Sequence, residues 1–318
     1  MADPSFGDFD ALFDRVIAPA LAPYEAERKA VLKRFWRFAI AGGVVGFVFM
    51  AVTSVLTRSL DLEGLLIWTG IATAVAAGFG YGPVHRFEER CKGRALGDLA
   101  ASVGMAYTGD GFDPPAMARI QQLGLIGDDA ESESYEDLFT GARSGAEFQL
   151  YEGVLTKRSG KNTVTVFRGQ VLRIAFPKKF LGTTVVNRDS QRWFPPKGLQ
   201  RVGLESSQFE RIFEVFGDDQ VEARFLVHPV FMERLMALEA AMSGNNLRCA
   251  FDDRHLLVVV EGGDLFEVVD VFKPLPDRES TRKGLGELQA VLNLIDAILA
   301  PPPNVWAQAG KEAAAGPA

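Results

Sequence analysis

The chain has 318 residues, of which 47% are hydrophobic and 24% charged, with a formal net charge of -7 and a pI near 5.2. That acidic balance argues against a nucleic-acid partner, because phosphate binding needs a dense basic surface. The two cysteines, Cys91 and Cys249, argue against a disulfide framework and fit a reducing, cytosolic setting.

Residues 1–23 set Phe6, Phe9, Phe13, Val16 and Ile17 at three- and four-residue spacing among Asp3, Asp8, Asp10 and Asp14. The spacing predicts a short amphipathic helix ended by Pro19 and Pro23, which either docks a partner or folds back on the protein's own body. Its acidic face argues against binding to a membrane surface.

Residues 38–84 hold two apolar runs, FAIAGGVVGFVFMAVTSVLT and GLLIWTGIATAVAAGFGYGPV, joined by the short RSLDLE. About 20 residues at 1.5 Å each match the ~30 Å hydrocarbon core of a bilayer, so the expected element is a two-helix transmembrane hairpin. Arg28, Lys29, Lys33, Arg34 and Arg37 precede it and Arg86, Arg90, Lys92 and Arg94 follow it, while the link offers only Arg58 against Asp61 and Glu63. Basic residues near span ends stay on the cytoplasmic side, which predicts an inner-membrane protein with both termini cytoplasmic. Gly42 and Gly46 form a GxxxG in the first span, and Gly70, Ala74, Gly78 and Gly82 recur every four residues in the second. Such ridges let helices approach closely, either within the hairpin or between chains. Neither span carries Asp, Glu, Lys or Arg, which speaks against a transporter or proton relay.

The helix is expected to continue through 85–105, with Phe87, Leu96, Leu99 and Val103 as buried positions. Asp113 is placed to cap a further helix beginning at Pro114 and running to about Leu123. Six carboxylates between Asp128 and Asp137 lack the spacing and central glycine of an EF-hand, so a solvated loop is expected there. Strands are predicted at 139–143, 147–156, 164–176 and 183–187, the third alternating as a half-exposed antiparallel strand does. Trp193 to Pro196 reads as a loop.

Ser207 and Glu210 fit a capping box ahead of Phe209, Ile212, Phe213 and Phe216, which predicts a helix stopped by Gly217. Asp219 or Asp218 can cap the next turn, 220–224. His228-Pro229 opens a helix burying Phe231, Leu235, Leu238 and Met242, ended by Ser243-Gly244. A hairpin is expected at 247–251 and 256–260, a short strand near 265–269, and a helix from about Glu279 to Leu299. The tail after Pro301 reads as disordered.

No pattern assigns a catalytic residue, a metal site or a cofactor. His85, His228 and His255 are isolated, and no HExxH or G-x-S-x-G occurs. Asp218, Asp219, Glu222 and Arg224 form the densest charged group beside an apolar core and are the candidate functional surface; helix capping explains the same residues. Asp252, Asp253 and His255 read as a polar turn.

The segments VFRGQVLRIAFPKKFLGTTVV (166–186) and FERIFEVFGDDQVEARFLVHPVFMERLMALE (209–239) resemble two blocks of an uncharacterised bacterial membrane-protein family, known only as a domain of unknown function. The resemblance covers roughly residues 30–300, and DDQVEAR…PVFMERL is its specific part. Family members typically show Tyr at the position of Phe225 and Thr at that of His228. The resemblance implies two spans ahead of one cytosolic domain and supplies no activity.

The expected architecture is α+β: a helical N-terminal segment (1–37), the transmembrane hairpin (38–84), a cytosolic domain of antiparallel sheet with flanking helices (85–300) and a tail (301–318). The expected role is a membrane-anchored, cytosolic-facing interaction or scaffold protein with a protein partner or a second copy. The alternatives are an enzyme acting on a lipid or membrane-proximal substrate through carboxylates near 218–222, and a transport accessory subunit.

Overall fold

The structure, a computed structural model, describes residues 9–57, 62–176, 178–188, 198–241 and 245–299. Several expectations fall outside these residues: Asp3, Phe6 and Asp8, the link residues Arg58 and Asp61, the loop from Trp193 to Pro196, Met242 to Gly244, and the tail from 301. The described chain forms two compact units, residues 9–99 with 267–283 and residues 100–266 with 284–299.

In the first unit α1 (Phe9–Leu12) and α2 (Ala18–Leu21) are joined by a π-helical turn, Phe13–Ile17, and followed by the 3-10 turn Ala22–Tyr24. Pro19 does not end this segment; it sits in the first turn of α2, directly after the π-helical turn. The segment folds back on its own unit. Phe13, Ile17 and Leu21 are buried, and the guanidinium groups of Arg278 and Arg282 lie 4.4 Å from the rings of Phe13 and Phe9. Arg278 also donates to Asp10 and Asp14 at 2.5 Å each.

Two long helices follow, α3 (Glu25–Thr57, 33 residues) and α4 (Leu62–Ser102, 41 residues). At 1.5 Å per residue they run about 50 and 60 Å, well beyond the ~30 Å of a hydrocarbon core. They pack antiparallel through glycine. A Cβ on Gly46 would lie 2.6 Å from the Ala72 Cβ and 3.2 Å from the Thr69 Cα, and one on Gly42 would collide with Ala76. Gly80 rests against Phe35 and Phe38, and near the base of the pair Arg90 donates to Glu27 at 2.6 Å. A Cβ on Gly70, Gly78 or Gly82 would meet nothing within 4 Å, so these three glycines lie off the seam. The outer faces carry open apolar surface: Val45, Leu56, Leu66 and Phe79 are 68–79% exposed. Both helices are long and apolar enough to cross a membrane.

Segment 267–283 closes the base of the first unit. Arg28, 7% exposed, donates to the Val271 carbonyl at 3.0 Å and to both oxygens of Glu25. Glu25 also accepts from the Leu275 N–H at 3.0 Å. The Arg28 hydrogen bond is the main cause that holds the Glu25 carboxyl down at about 2.

The second unit is a nine-stranded sheet in the order β1-β2-β3-β4-β9-β8-β5-β7-β6, antiparallel throughout. Its strands are β1 (Ala106–Thr108), β2 (Ser132–Arg143), β3 (Ala146–Ser159), β4 (Asn162–Ala175), β5 (Thr184–Arg188), β6 (Gln200–Arg201), β7 (Phe213–Gly217), β8 (Asn245–Asp252) and β9 (His255–Glu261). The helices flanking it are α5 (Met117–Gln122), α6 (Gln220–Leu226), α7 (Pro229–Ala241) and the part of α8 (Arg278–Leu299) beyond residue 283. On one face Met117, Ile120 and Leu123 of the α5 region pack against Tyr151, Leu155, Val171 and Leu257. The Tyr151 hydroxyl donates to the Pro115 carbonyl at 2.9 Å. Leu288, Val291, Leu292 and Ile295 of α8 are buried, and Asp296 accepts from Arg143 and from Ser144 at the β2–β3 turn.

Five local expectations are corrected. Residues 206–212 form turns and Phe213–Gly217 is a strand, because the Glu210 carboxylate reaches back to the Leu204 N–H and the aromatic run pairs with β5 and β6. Residues 265–269 form no strand. The helix near 113–123 begins at Met117 after Ala116 in the left-handed region, so Asp113 does not cap it. β4 is buried on both faces from Gly169 to Leu172, as a central strand beneath two layers must be. The acidic run is no loop beyond Ser132: Glu133, Glu136 and Asp137 belong to β2.

Candidate functional site

Strand pairing builds a polar row that no local pattern announces. Glu136 on β2 stands directly across from Glu152 on β3, and Glu152 across from Gln170 on β4. Side chains alternate along a strand, so Glu152 and Gln170 face away from Tyr151 and Val171, on the sheet face opposite α5. The β2 register shifts between Glu136 and Phe139. At that bulge Asp137 takes φ 59°, its N–H donates to Gly109 O at 2.8 Å, and its Oδ1 accepts from Tyr107 at 2.7 Å. Bulges of this kind re-aim side chains.

The turn after β9 closes the row. Gly263 O accepts from Gln170 Nε2 at 2.7 Å, the Leu265 N–H donates to Glu152 Oε1 at 2.9 Å, and Phe266 stacks edge-on against Phe139 at 5.0 Å. This brings Asp264 beside Glu152, and one carboxylate oxygen from each of Glu136, Glu152 and Asp264 lies within 4.8 Å of the others. Glu152 is buried, Glu136 half-buried and Asp264 exposed. A cavity of about 10 Å³ sits among them, lined also by Gln170, Arg168, Gly153 and Gly169. Gly169 has to be glycine here: a Cβ would run into the Val260 carbonyl. Burial first, then the hydrogen bond and charge of Asp264, push the Glu152 carboxyl up to about 10.

The sequence-derived surface at 218–224 has a different character. Asp219 caps α6, accepting from the Val221 and Glu222 N–H groups at 2.9 Å each. Glu222 accepts from the Leu181 and Gly182 N–H groups at 2.8 Å, Asp218 from Thr183 N–H at 2.7 Å, and Arg224 donates to Gly203 O at 3.1 Å. Their hydrogen bonds hold the loop before β5, the start of α6 and the chain at Gly203. Asp218 also borders a cavity of about 400 Å³ with Arg119, Gln122 and Thr183. Among the turn residues, Asp252 accepts from Nε and Nη2 of Arg119 at 2.8 and 2.7 Å, Asp253 pairs with Lys179 at 2.8 Å, and His255 meets Arg173 at 2.6 Å.

Glu152 and Asp264 escaped the sequence reading. The one available signal was an acidic residue within an otherwise apolar strand, FQLYEGVL, followed by the Gly262-Gly263-Asp264 turn.

The fold defines an α+β protein, an antiparallel nine-stranded sheet with flanking helices following a long apolar helical pair. Residues 165–299 match the model of a family described as "Protein of unknown function (DUF3137)". The match contains both resembling blocks, 166–186 and 209–239; it includes Gln170 and Asp264 and begins after the helical pair, Glu136 and Glu152. No curated protein matches the chain. Among solved structures, the crystal structure of the mycobacterial trehalose monomycolate transport factor A, TtfA, is 14% identical with a TM-score of 0.33, covering 68% of this chain and 99% of that one. A likeness of that size carries no argument about fold or activity.

Proposed function

We propose that the chain is a bacterial inner-membrane protein, anchored by the hairpin at 38–84 with both termini cytoplasmic, whose sheet domain serves as an interaction or scaffold module. The observation that supports the anchor is the open apolar surface along the outer faces of α3 and α4, which water would not tolerate over such a length. Basic flanks, and a link that offers only Arg58 against Asp61 and Glu63, support the orientation. A tether raises the local concentration of the domain at the membrane, so weak contacts there are held. Gly70, Gly78 and Gly82, lying off the hairpin seam, and Ala74 at the same four-residue spacing support lateral contact with a second copy.

Membrane-impermeant thiol labelling in intact spheroplasts tests the orientation. Glu63→Cys should label from outside, and Lys161→Cys only after lysis; the reverse pattern refutes the topology. The native thiols do not interfere, because burial pushes Cys91 up to about 11 and raises Cys249 further. Ala74→Cys should crosslink two copies in the membrane. Absence of any crosslink, together with repeated co-purification from gently solubilised membranes that returns no partner, sinks the interaction reading.

The cavity beside Asp218 supports the second reading, an enzyme acting on a lipid or membrane-proximal substrate. Loss of function in Asp218→Asn at unchanged thermal stability would favour it over the scaffold.

A further inference from the structure

The row of Glu136, Glu152 and Gln170 contains one buried acceptor, the Gln170 Oε1, that has no donor among the described residues. Glu136 and Glu152 are two carboxyl groups placed directly across a strand pair, where like charges would be destabilising, with Asp264 brought against them by the turn after β9. Gln170 is 1% exposed and lines the same cavity. Its Nε2 is committed to Gly263 O at 2.7 Å and to Glu152 Oε1 at 3.3 Å. That fixes the amide's orientation and leaves Gln170 Oε1 without a donor among the described residues. A buried acceptor with no donor costs stability unless something electropositive occupies the adjoining space.

We propose that Glu136, Glu152 and Asp264, with the Gln170 side-chain oxygen, bind one hard divalent cation in the cavity between β2, β3, β4 and the 262–265 turn. All the ligands are oxygens, which selects calcium or magnesium over zinc or copper. Two oxygens bound at about 2.4 Å to one ion lie at most about 4.8 Å apart, the calcium case, and the three carboxylates already meet that limit. The cavity, about 10 Å³, has room for one ion or one water. Three carboxylates against two positive charges leave the bound site singly negative, with Arg168 at the cavity wall. The rival occupant is a proton shared by Glu152 and Asp264, with a water against Gln170.

The site stands independently of the membrane reading, and its test uses the full chain in a neutral detergent after EDTA treatment and dialysis. The probes are calcium and magnesium ions alone. Calorimetry should show one ion bound per chain, and about 1 mM of the bound ion should raise the thermal midpoint by roughly 4 °C or more. Asp264→Asn, at an exposed position, and Glu152→Gln, which keeps the local hydrogen bonds, should fold normally by circular dichroism and lose the shift. A shift lost in both variants supports the site. No binding of either ion to the wild-type chain, or a shift that persists in both variants, overturns it.

Discussion

Replacing Glu152 with glutamine removes one titration and almost nothing else. The glutamine Oε1 can still accept from Leu265 N–H, at 2.9 Å in the native chain, and its Nε2 can donate to Asp264 as the protonated carboxyl does. Burial and Asp264 hold the folded-state carboxyl at about 10 against a reference of 4.5. The folded chain therefore keeps a proton that the unfolded chain releases above pH 4.5. Stability from this group is complete below pH 4.5 and declines as pH rises from there towards 10. At about 1.4 kcal/mol per pH unit, the loss by pH 7 is roughly 3 kcal/mol. With the unit's size, that corresponds to a midpoint shift on the order of 5–10 °C. Glu152→Gln should be more stable than wild type by up to that amount at pH 7 in EDTA and indistinguishable from it at about pH 4. Circular-dichroism melting at the two pH values measures both. An equal offset at the two pH values, or a wild type that gains stability from this site as pH rises, refutes a protonated Glu152.

Three other perturbations test the rest of the structure. Gly46→Leu should force α3 from Ala72 and Thr69 and lower the midpoint of the detergent-solubilised chain, whereas Gly78→Leu, with open space around it, should leave the midpoint unchanged. Asp219→Ala removes the α6 cap and should cost about 1 kcal/mol by melting. Arg28→Met should destabilise at pH 7 by on the order of 2 kcal/mol, since it breaks the bonds to Glu25 and Val271. Because Glu25 is held at about 2, its contribution is present above 4.5 and is lost as pH falls towards 2; the variant should lack that acid-side loss in a melting series.

The apolar hairpin was legible because its signal is contiguous: two runs of uncharged residues, each long enough to span, need no knowledge of what they pack against. The Asp219 cap, the 245–261 hairpin and α8 were legible for the same local reason. Residues 207–217 misled, since Ser207 and Glu210 mimic a capping box and aromatic residues suit either period; pairing with β5 and β6 decided for a strand.

The glycine ridges were legible only in part. GxxxG spacing marks where helices can meet, but which glycines form the seam depends on how the pair rotates, and the structure chose Gly42 and Gly46 over Gly70, Gly78 and Gly82. Residue order alone was enough for the long apolar helices, the acidic balance and the α+β class. The carboxylate row needed the assembled fold, because Glu136 meets Glu152 through strand register and Leu265 reaches Glu152 across 113 residues of chain. No local periodicity encodes such a meeting; it exists only once β2, β3, β4 and the turn after β9 have come together.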